Sequence, residues 1–355
     1  MSAPTTPLVG IPRFTLSIAK VAASPALKAD IGSVELSEDL NLPAMLTFSV
    51  NLWDGMRLRV KEDYLDQFAL GTSIELSLGI NSETPIFTGE VTALEPDFGG
   101  IDQPDSLRVQ VFNRLHRLQF GNRQRTFQNK TSSDIASSIA NDHALTASVE
   151  STDDKQPHVT QRNETNLAFL LRLARPLNYE VLVDDKTLLF RKPKAQEGAA
   201  VSLTYRQDLI EFAPRQRAIS EGSSVEVRGW DAKAKQPIVG RAGAGDETTK
   251  MGGKQTGAEV SANAFSAQPR TITAQILLDA NEATEVAKAH YNRQQSDFIE
   301  AQGECAGSPA IRAGKTIEIA GVGKAFSGPY YVVSAKHTIG PTGYRTRFEA
   351  TRNSV

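Results

Sequence analysis

The run GECAGSPAIRAGKTIEIAGVGKAFSGPYYVVSAKHTIGPTGYRTRFEATRNSV, residues 303–355, decides the fold. Residues 316–320 set Ile317 and Ile319 on one face, residues 330–333 are dense in β-formers, and Tyr344, Thr346, Phe348 and Ala350 alternate with Arg345, Arg347, Glu349 and Thr351. Period-two patterning marks half-buried strands, because successive side chains leave a strand on opposite faces. Gly321-Val322-Gly323-Lys324 and Ser327-Gly328-Pro329 supply positive φ and fixed turns between them. The run therefore predicts an antiparallel meander or small barrel, with no catalytic constellation on it.

The same alternation recurs near the other end. Leu46, Phe48, Val50 and Leu52 alternate with Thr47, Ser49, Asn51 and Trp53, and Ile74, Leu76, Leu78 and Ile80 follow suit. Strands over 87–94 and 107–112, separated by a Gly/Pro/Asp turn at 97–105, complete a first β-barrel or sandwich over residues 1–114, expected to be closed by about 196–220. Between the β-rich regions the period changes. Thr131 or Ser132 can cap a helix with Ile135, Ala136, Ile139 and Ala140 on one face, and Leu167, Leu170, Leu171 and Ala174 mark a second helix ended by Pro176. A tight hairpin around Asp184-Asp185-Lys186 follows, so residues 115–195 read as an inserted α/β domain.

Residues 221–355 read as a second β-barrel domain, interrupted by a loop over 241–268 and a helix over 280–295 that Asp279 caps and Glu282 supports. The overall class is mainly β with an α/β insert, an α+β chain of two β-barrel-like domains and one small α/β domain. The 241–268 stretch is almost devoid of large apolar residues. It cannot bury enough area to offset an ordering entropy of about 1–2 kcal/mol per residue, and is expected to be mobile until a partner orders it. Arg241, Lys250 and Lys254 on it, with Trp230 just upstream, are the candidate partner-contact residues.

Composition narrows the function classes. A chain of 355 residues favours two or three domains, and 40% hydrophobic with 23% charged residues is a globular balance. No apolar run approaches the roughly 18 residues of a membrane span, and residues 1–10 lack the basic and apolar regions of a secretory signal, so maturation in the cytoplasm is expected. The lone Cys305 excludes an internal disulfide framework, and a net charge of −2 argues against a general nucleic-acid binder. Arg13, Arg57, Arg59, Arg114, Arg117, Arg123 and Arg125 make the first third locally basic, which reads first as solvated surface.

Catalytic patterns are missing. His116, His143, His158, His290 and His337 show no metal-ligand spacing, and no serine sits in a nucleophile elbow. The carboxylate pairs Asp208 with Glu211 and Asp153 with Asp154 read as surface. The glycine-rich runs 240–245 and 321–328 precede a patternless stretch and a strand, whereas a phosphate loop needs a helix N-terminus next. No cofactor and no metal are assigned.

Several blocks resemble one family. NLAFLLRLA (166–174), YEVLVD (179–184) and TLLFR (187–191) resemble the helix-and-hairpin signature of phage late control D proteins. VEVRGWD (225–231) with IVG (238–240), GSPAIRAG (307–314), GVG (321–323), FSG (326–328) with Tyr330, and His337 with GYRT (343–346) look like the same family in the same order. The resemblance covers 165–352. One departure stands at Arg175-Pro176-Leu177-Asn178, where the family usually has a glycine and Asn178 can take its left-handed conformation.

The resemblance implies a non-enzymatic baseplate hub of a contractile phage tail or phage-like injection system, related to the N-terminal hub of VgrG spikes. Such hubs are homotrimers that match a hexameric tail tube to a trimeric spike around a central channel. Implied partners are the spike, which the chain's end at Val355 makes a separate polypeptide, a tail-tube or tube-initiator protein, baseplate wedge proteins and the tape-measure protein. DNA or effector would pass only as cargo, without membrane contact at rest. Assembly is expected in the bacterial host cytoplasm, and the final location is a virion tail baseplate or injection particle. The rivals are a tail-associated cell-wall hydrolase, which needs a carboxylate pair or zinc site, and a surface-binding β module, which needs exposed aromatics in a chain only 7% aromatic.

Overall fold

The computed structural model describes residues 10–355 except 100–103, 196, 220–221, 232–233, 267–268, 274–276, 278 and 342. Its first region holds β1 (Pro12–Ile18), β2 (Val21–Ala22), α1 (Pro25–Asp30), β3 (Ile31–Asp39), β4 (Met45–Asn51), the short hairpin strands β5 (Trp53–Asp54) and β6 (Arg59–Val60), α2 (Glu62–Gln67), β7 (Ser73–Ile80), β8 (Thr84–Asp97) and β9 (Ser106–Phe112). The alternation in the sequence is the alternation of burial: Leu46, Phe48, Val50, Leu52, Ile74, Leu76 and Leu78 are buried in one core with Leu36, Val109 and Val111. Residues 97–105, expected as a turn, lie partly outside the described residues. β1, β4 and β8 run antiparallel to β3, β7 and β9, so the connections 19–30 and 52–72, with residues 98–99 and 104–105, gather at one end of this region.

The opposite end carries the insert. Its elements are β10 (Arg123–Lys130), α3 (Ser132–Asp142), β11 (Thr146–Val149), β12 (Gln156–Glu164), α4 (Asn166–Ala174), β13 (Glu180–Asp184) and β14 (Thr187–Arg191). Thr131 and Asp134 form a full capping box on α3, and Thr165 caps α4. Their apolar faces, Ile135, Ala136, Ile139 and Ala140 with Leu167, Phe169 and Leu170, pack against Val181, Leu188 and Phe190 in a separate core. Asn178 is left-handed at φ 52°, as its place in the resemblance requires. The insert is anchored below by the Val181 amide donating to Asn41 Oδ1 at 2.8 Å and Asn113 Nδ2 donating to the Val183 carbonyl at 3.1 Å.

The remaining elements are β15 (Ser202–Thr204), β16 (Leu209–Gln216), β17 (Ser224–Asp231), β18 (Gln236–Ala242), α5 (Gly257–Phe265), β19 (Pro269–Ile272), α6 (Ala280–Ser296), β20 (Ile299–Ala306), β21 (Thr316–Ala320), β22 (Gly328–Gly340) and β23 (Gly343–Arg352). β22 is the hinge of the architecture. Its first half pairs with β21 and its second half, beyond an irregularity at Val332/Ser334, pairs with β3, while β23 follows its other edge. One 13-stranded sheet therefore runs from β16 through β22 and β3 to β1. Ile339 and Tyr344 enter the first core, whereas Tyr330, Val332 and Phe348 belong to the second with Ile317, Ile319 and Leu203. The chain is mainly β with α+β character.

Two expectations are corrected. Residues 196–220 do not close the first β-region: β15 pairs with β21 and β16 with β20, because Leu203 and Leu209 are buried in the second core. The 241–268 stretch is not one long loop. β18 extends to Ala242, α5 begins at Gly257 under a Thr256/Glu259 capping box, and between them Thr249, Lys250, Lys254 and Gln255 are hydrogen-bonded to 353–355. Small residues hide that helix from periodicity: Gly257 is so close to the Phe298 ring that an added Cβ would lie 2.5 Å from its Cγ. The helix foreseen over 280–295 is α6, with Asp279 as its cap. It packs on β17 and β18 over a fourth core of Val225, Val227, Ile238, Ala283, Val286 and Tyr291.

Candidate interaction surfaces

The four candidate contact residues fall into two pairs. Trp230 and Arg241 lie on the outer face of the β18-β17-β19 sheet, whose inner face α6 covers. Trp230 is 62% exposed and stands opposite Pro237, while Arg241 and Arg228 both bind the carboxylate of Glu226, Arg241 at 2.7 Å. Lys250 and Lys254 lie on the segment before α5. Lys250 pairs with Glu259 at 3.2 Å, and the Lys254 amide donates to the Val355 carbonyl at 2.8 Å, so this segment is tied to the last residues of the chain. Asn353 Nδ2 adds a bond of 2.6 Å to the Thr249 carbonyl. Of these four, Trp230 is the large apolar group open to a partner.

The other residues singled out in the sequence have structural surroundings. His337 is fully buried: its Nε2 is 3.0 Å from the Ile311 carbonyl, which can only accept, so Nε2 carries the proton and Nδ1 accepts from the Tyr344 hydroxyl at 2.9 Å. Burial, reinforced by Arg312, pushes its pKa down to about 3. His290 on α6 is half-buried, and burial with Arg293, Arg270 and Arg175 around it pushes its pKa down to about 4. His116 and His143 are hydrogen-bonded to Asn113 and Asn166, at 2.8 and 2.7 Å. Among the described residues no three His, Cys, Asp or Glu side chains converge as metal ligands.

Carboxylates and glycines serve the backbone. Asp208 Oδ1 accepts from the amides of Thr204 and Leu209, and Asp154 Oδ1 accepts from the Ser132 amide at the start of α3. Gly240 lies under α6, where a Cβ would come within 2.1 Å of the Ala283 carbonyl carbon. Gly321 and Gly323 turn the chain between β21 and β22 at φ 80° and 84°. Part of the basic N-terminal set is neutralised too: Arg114 and Arg117 both bind Glu90, and Arg125 binds Asp142 at 2.7 Å. Among the described residues no helix is long and apolar enough to cross a membrane.

Two surface features escape a linear reading. Exposed Val21, Trp53, Met56, Leu58, Leu70 and Phe98 all lie on the connections gathered at the end of the first region remote from the insert. The Asp54-Gly55 dipeptide between Trp53 and Val60 was the available hairpin signal. On the second region, β16, β20, β22 and β23 form an open cleft of about 420 Å³ lined by side chains of both charges, Glu211, Glu304 and Glu349 with Lys336 and Arg347.

A family model described as the Alg8 N-terminal domain matches residues 29–340. No curated protein matches the sequence. Among solved structures, the 43 kDa tail protein of prophage MuSo2 from Shewanella oneidensis aligns with a TM-score of 0.67 at 11% identity, covering 96% of this chain and 98% of that one. A tail protein from Neisseria meningitidis MC58 gives 0.68 at 10% identity, covering 96% and 97%. The Escherichia coli c3393 protein, a type VI secretion component described as structurally similar to the T4 tail proteins gp27 and gp5, gives 0.60 at 13% identity over 96% of this chain and 77% of its own. At these identities the likeness is one of fold, and the fold is that of the tail proteins the sequence resembles.

Proposed function

The chain belongs to the Alg8 N-terminal domain family, and we propose that it is a structural baseplate hub of a contractile tail or phage-like injection machine. The observation that carries the reading is the single sheet through β22, which joins two β-rich regions with separate cores into one body, with the insert anchored to both. Such a body suits a load-bearing ring: its strands are paired along most of their edges, and its two halves cannot turn independently without breaking the β22–β3 ladder. Alignment with tail proteins over nearly the whole of both chains supports the same reading.

In this role the chain forms a homotrimer around a central channel, adapts a hexameric tube to a trimeric spike, and performs no hydrolysis. Its neighbours are the spike, the tube or tube-initiator protein, the wedge proteins and the tape-measure protein, and its place is the baseplate of a tail or injection particle. Cryo-EM of the purified chain with its spike tests this. A three-fold ring with a pore is expected; monomers under native mass spectrometry with the spike present would overturn it.

A further inference from the structure

Four basic side chains meet at the seam between the insert and α6. The helix runs along the insert: Gln156 of β12 donates from Nε2 to Glu282 Oε1 at 3.1 Å, and farther along α6 Arg293 donates from Nη2 to the Arg175 carbonyl. Arg175 opens the single 3₁₀ turn Arg175–Leu177 that follows α4. His290 stands three positions before Arg293 on α6, a spacing that sets the two on one face. Arg270 belongs to β19, in the sheet that α6 covers. The charges of Arg293, Arg270 and Arg175 all act on His290, and that of Arg175 acts on Arg293, so the four groups form one cluster.

The cluster has donors to spare. Arg293 and His290 are half-buried, yet among the described residues no carboxylate acts on either, and the charged neighbour of Arg293 is a second arginine. Among the described residues the side chains of Arg175 and His290 make no hydrogen bond, and Arg293 makes the one to the Arg175 carbonyl. The carbonyl end of α4 carries about half a negative charge, which suits the guanidinium that caps it. It leaves the Arg175 guanidinium and the His290 ring unanswered. Cations drawn partly out of water beside one another are unfavourable unless an anion joins them. Arg175 is itself exposed, so the cluster is open to solvent on that side.

We infer that this seam binds a phosphate dianion, held by Arg175, Arg293 and His290, with Arg270 adding its charge. The donors come from two separate elements, the turn after α4 and α6 itself, and include two planar guanidinium forks, each able to bind a phosphate through two N–H groups. A tetrahedral oxyanion presents oxygens in every direction and accepts from donors that do not share a plane, whereas a carboxylate offers two oxygens in one plane. Free phosphate and a phosphate monoester share this chemistry. The site goes beyond the ring reading and does not depend on it.

Calorimetric titration of the full chain tests it, at constant ionic strength and about pH 7.5, where phosphate is mainly the dianion. Inorganic phosphate, glycerol phosphate and acetate are titrated separately. Phosphate or its monoester is expected to bind at least tenfold more tightly than acetate, and the tighter of the two identifies the occupant as a free ion or as the phosphoryl group of a larger molecule. Arg175→Gln should lower that affinity at least tenfold at an unchanged melting temperature, because its side chain holds nothing that folding needs. The His290 ring resonances should move as phosphate is added. Equal affinity for phosphate and acetate, an unaltered affinity in Arg175→Gln, or unmoved His290 resonances would overturn the site.

Discussion

The Tyr331 hydroxyl donates to Glu180 Oε2 across 2.6 Å, joining β22 of the sheet to β13 of the insert. Both side chains are buried, and Arg191 completes the group by donating from Nε to Glu180 Oε1 at 2.9 Å. Burial raises the Glu180 pKa, and the tyrosine and arginine oppose that. The insert is thus held to the hinge strand by a buried polar contact as well as by packing.

Tyr331→Phe removes that donor and leaves one carboxylate oxygen of Glu180 buried without it. A loss of about 1–3 kcal/mol is expected in urea unfolding. A variant as stable as the wild type would show that the contact contributes nothing.

Arg312 and Glu38 form the corresponding link between the two β-regions, with Arg312 Nε donating to Glu38 Oε2 at 2.5 Å. Arg312→Met strands a carboxylate that is only 8% exposed. The expected destabilisation is about 3 kcal/mol, read as a lowered melting temperature.

The space above Gly240 is decisive for α6. Gly240→Ala would push a methyl into the Ala283 carbonyl and should cost about 1–3 kcal/mol, whereas Gly243→Ala, whose Cβ would sit 3.5 Å from Ser224, should stay within about 0.5 kcal/mol. Equal melting temperatures for the two variants would contradict the close approach.

Acid should act through histidine. His290 and His337 have folded pKa values lowered from 6.5 to about 4 and about 3, so between those values and 6.5 the unfolded chain binds protons that the folded chain does not. Their neutral forms favour folding fully above pH 6.5, and that contribution falls as pH drops through the window. Denaturation midpoints measured between pH 7 and pH 4.5 should decline, and less steeply in His290→Gln.

The 249–257 segment, read from composition as mobile, is expected to be protected. The amides of Gly257 and Val355, bonded to the carbonyls of Asn353 and Gln255, should exchange slowly in the isolated chain, and Asn353→Ala should speed both. Fast exchange in the wild type would restore the mobile reading.

The strands over 46–52, 74–80 and 344–350, the capped helices α3, α4 and α6, and the left-handed Asn178 were legible because each depends on residues a few positions apart: alternation, a cap with its partner, a single residue able to take positive φ. α5 was legible only in its capping box, since Gly257, Ala258 and Ser261 bury a face too small to register as periodic. Of the candidate contact residues, the sequence found Trp230 by type, but could not show that Arg241 and Lys250 are neutralised by Glu226 and Glu259. Sequence alone thus determined a mainly β chain with an α/β insert. Tertiary structure decided that β22 divides its edge between β21 and β3, that β15 and β16 join the second core, and that Met56 and Leu58 stand in solvent. The reason is physical: alternation states which face of a strand is buried, but the partner along its edge is chosen by backbone bonds and packing between residues as distant in sequence as Val34 and Ile339, which no local pattern encodes.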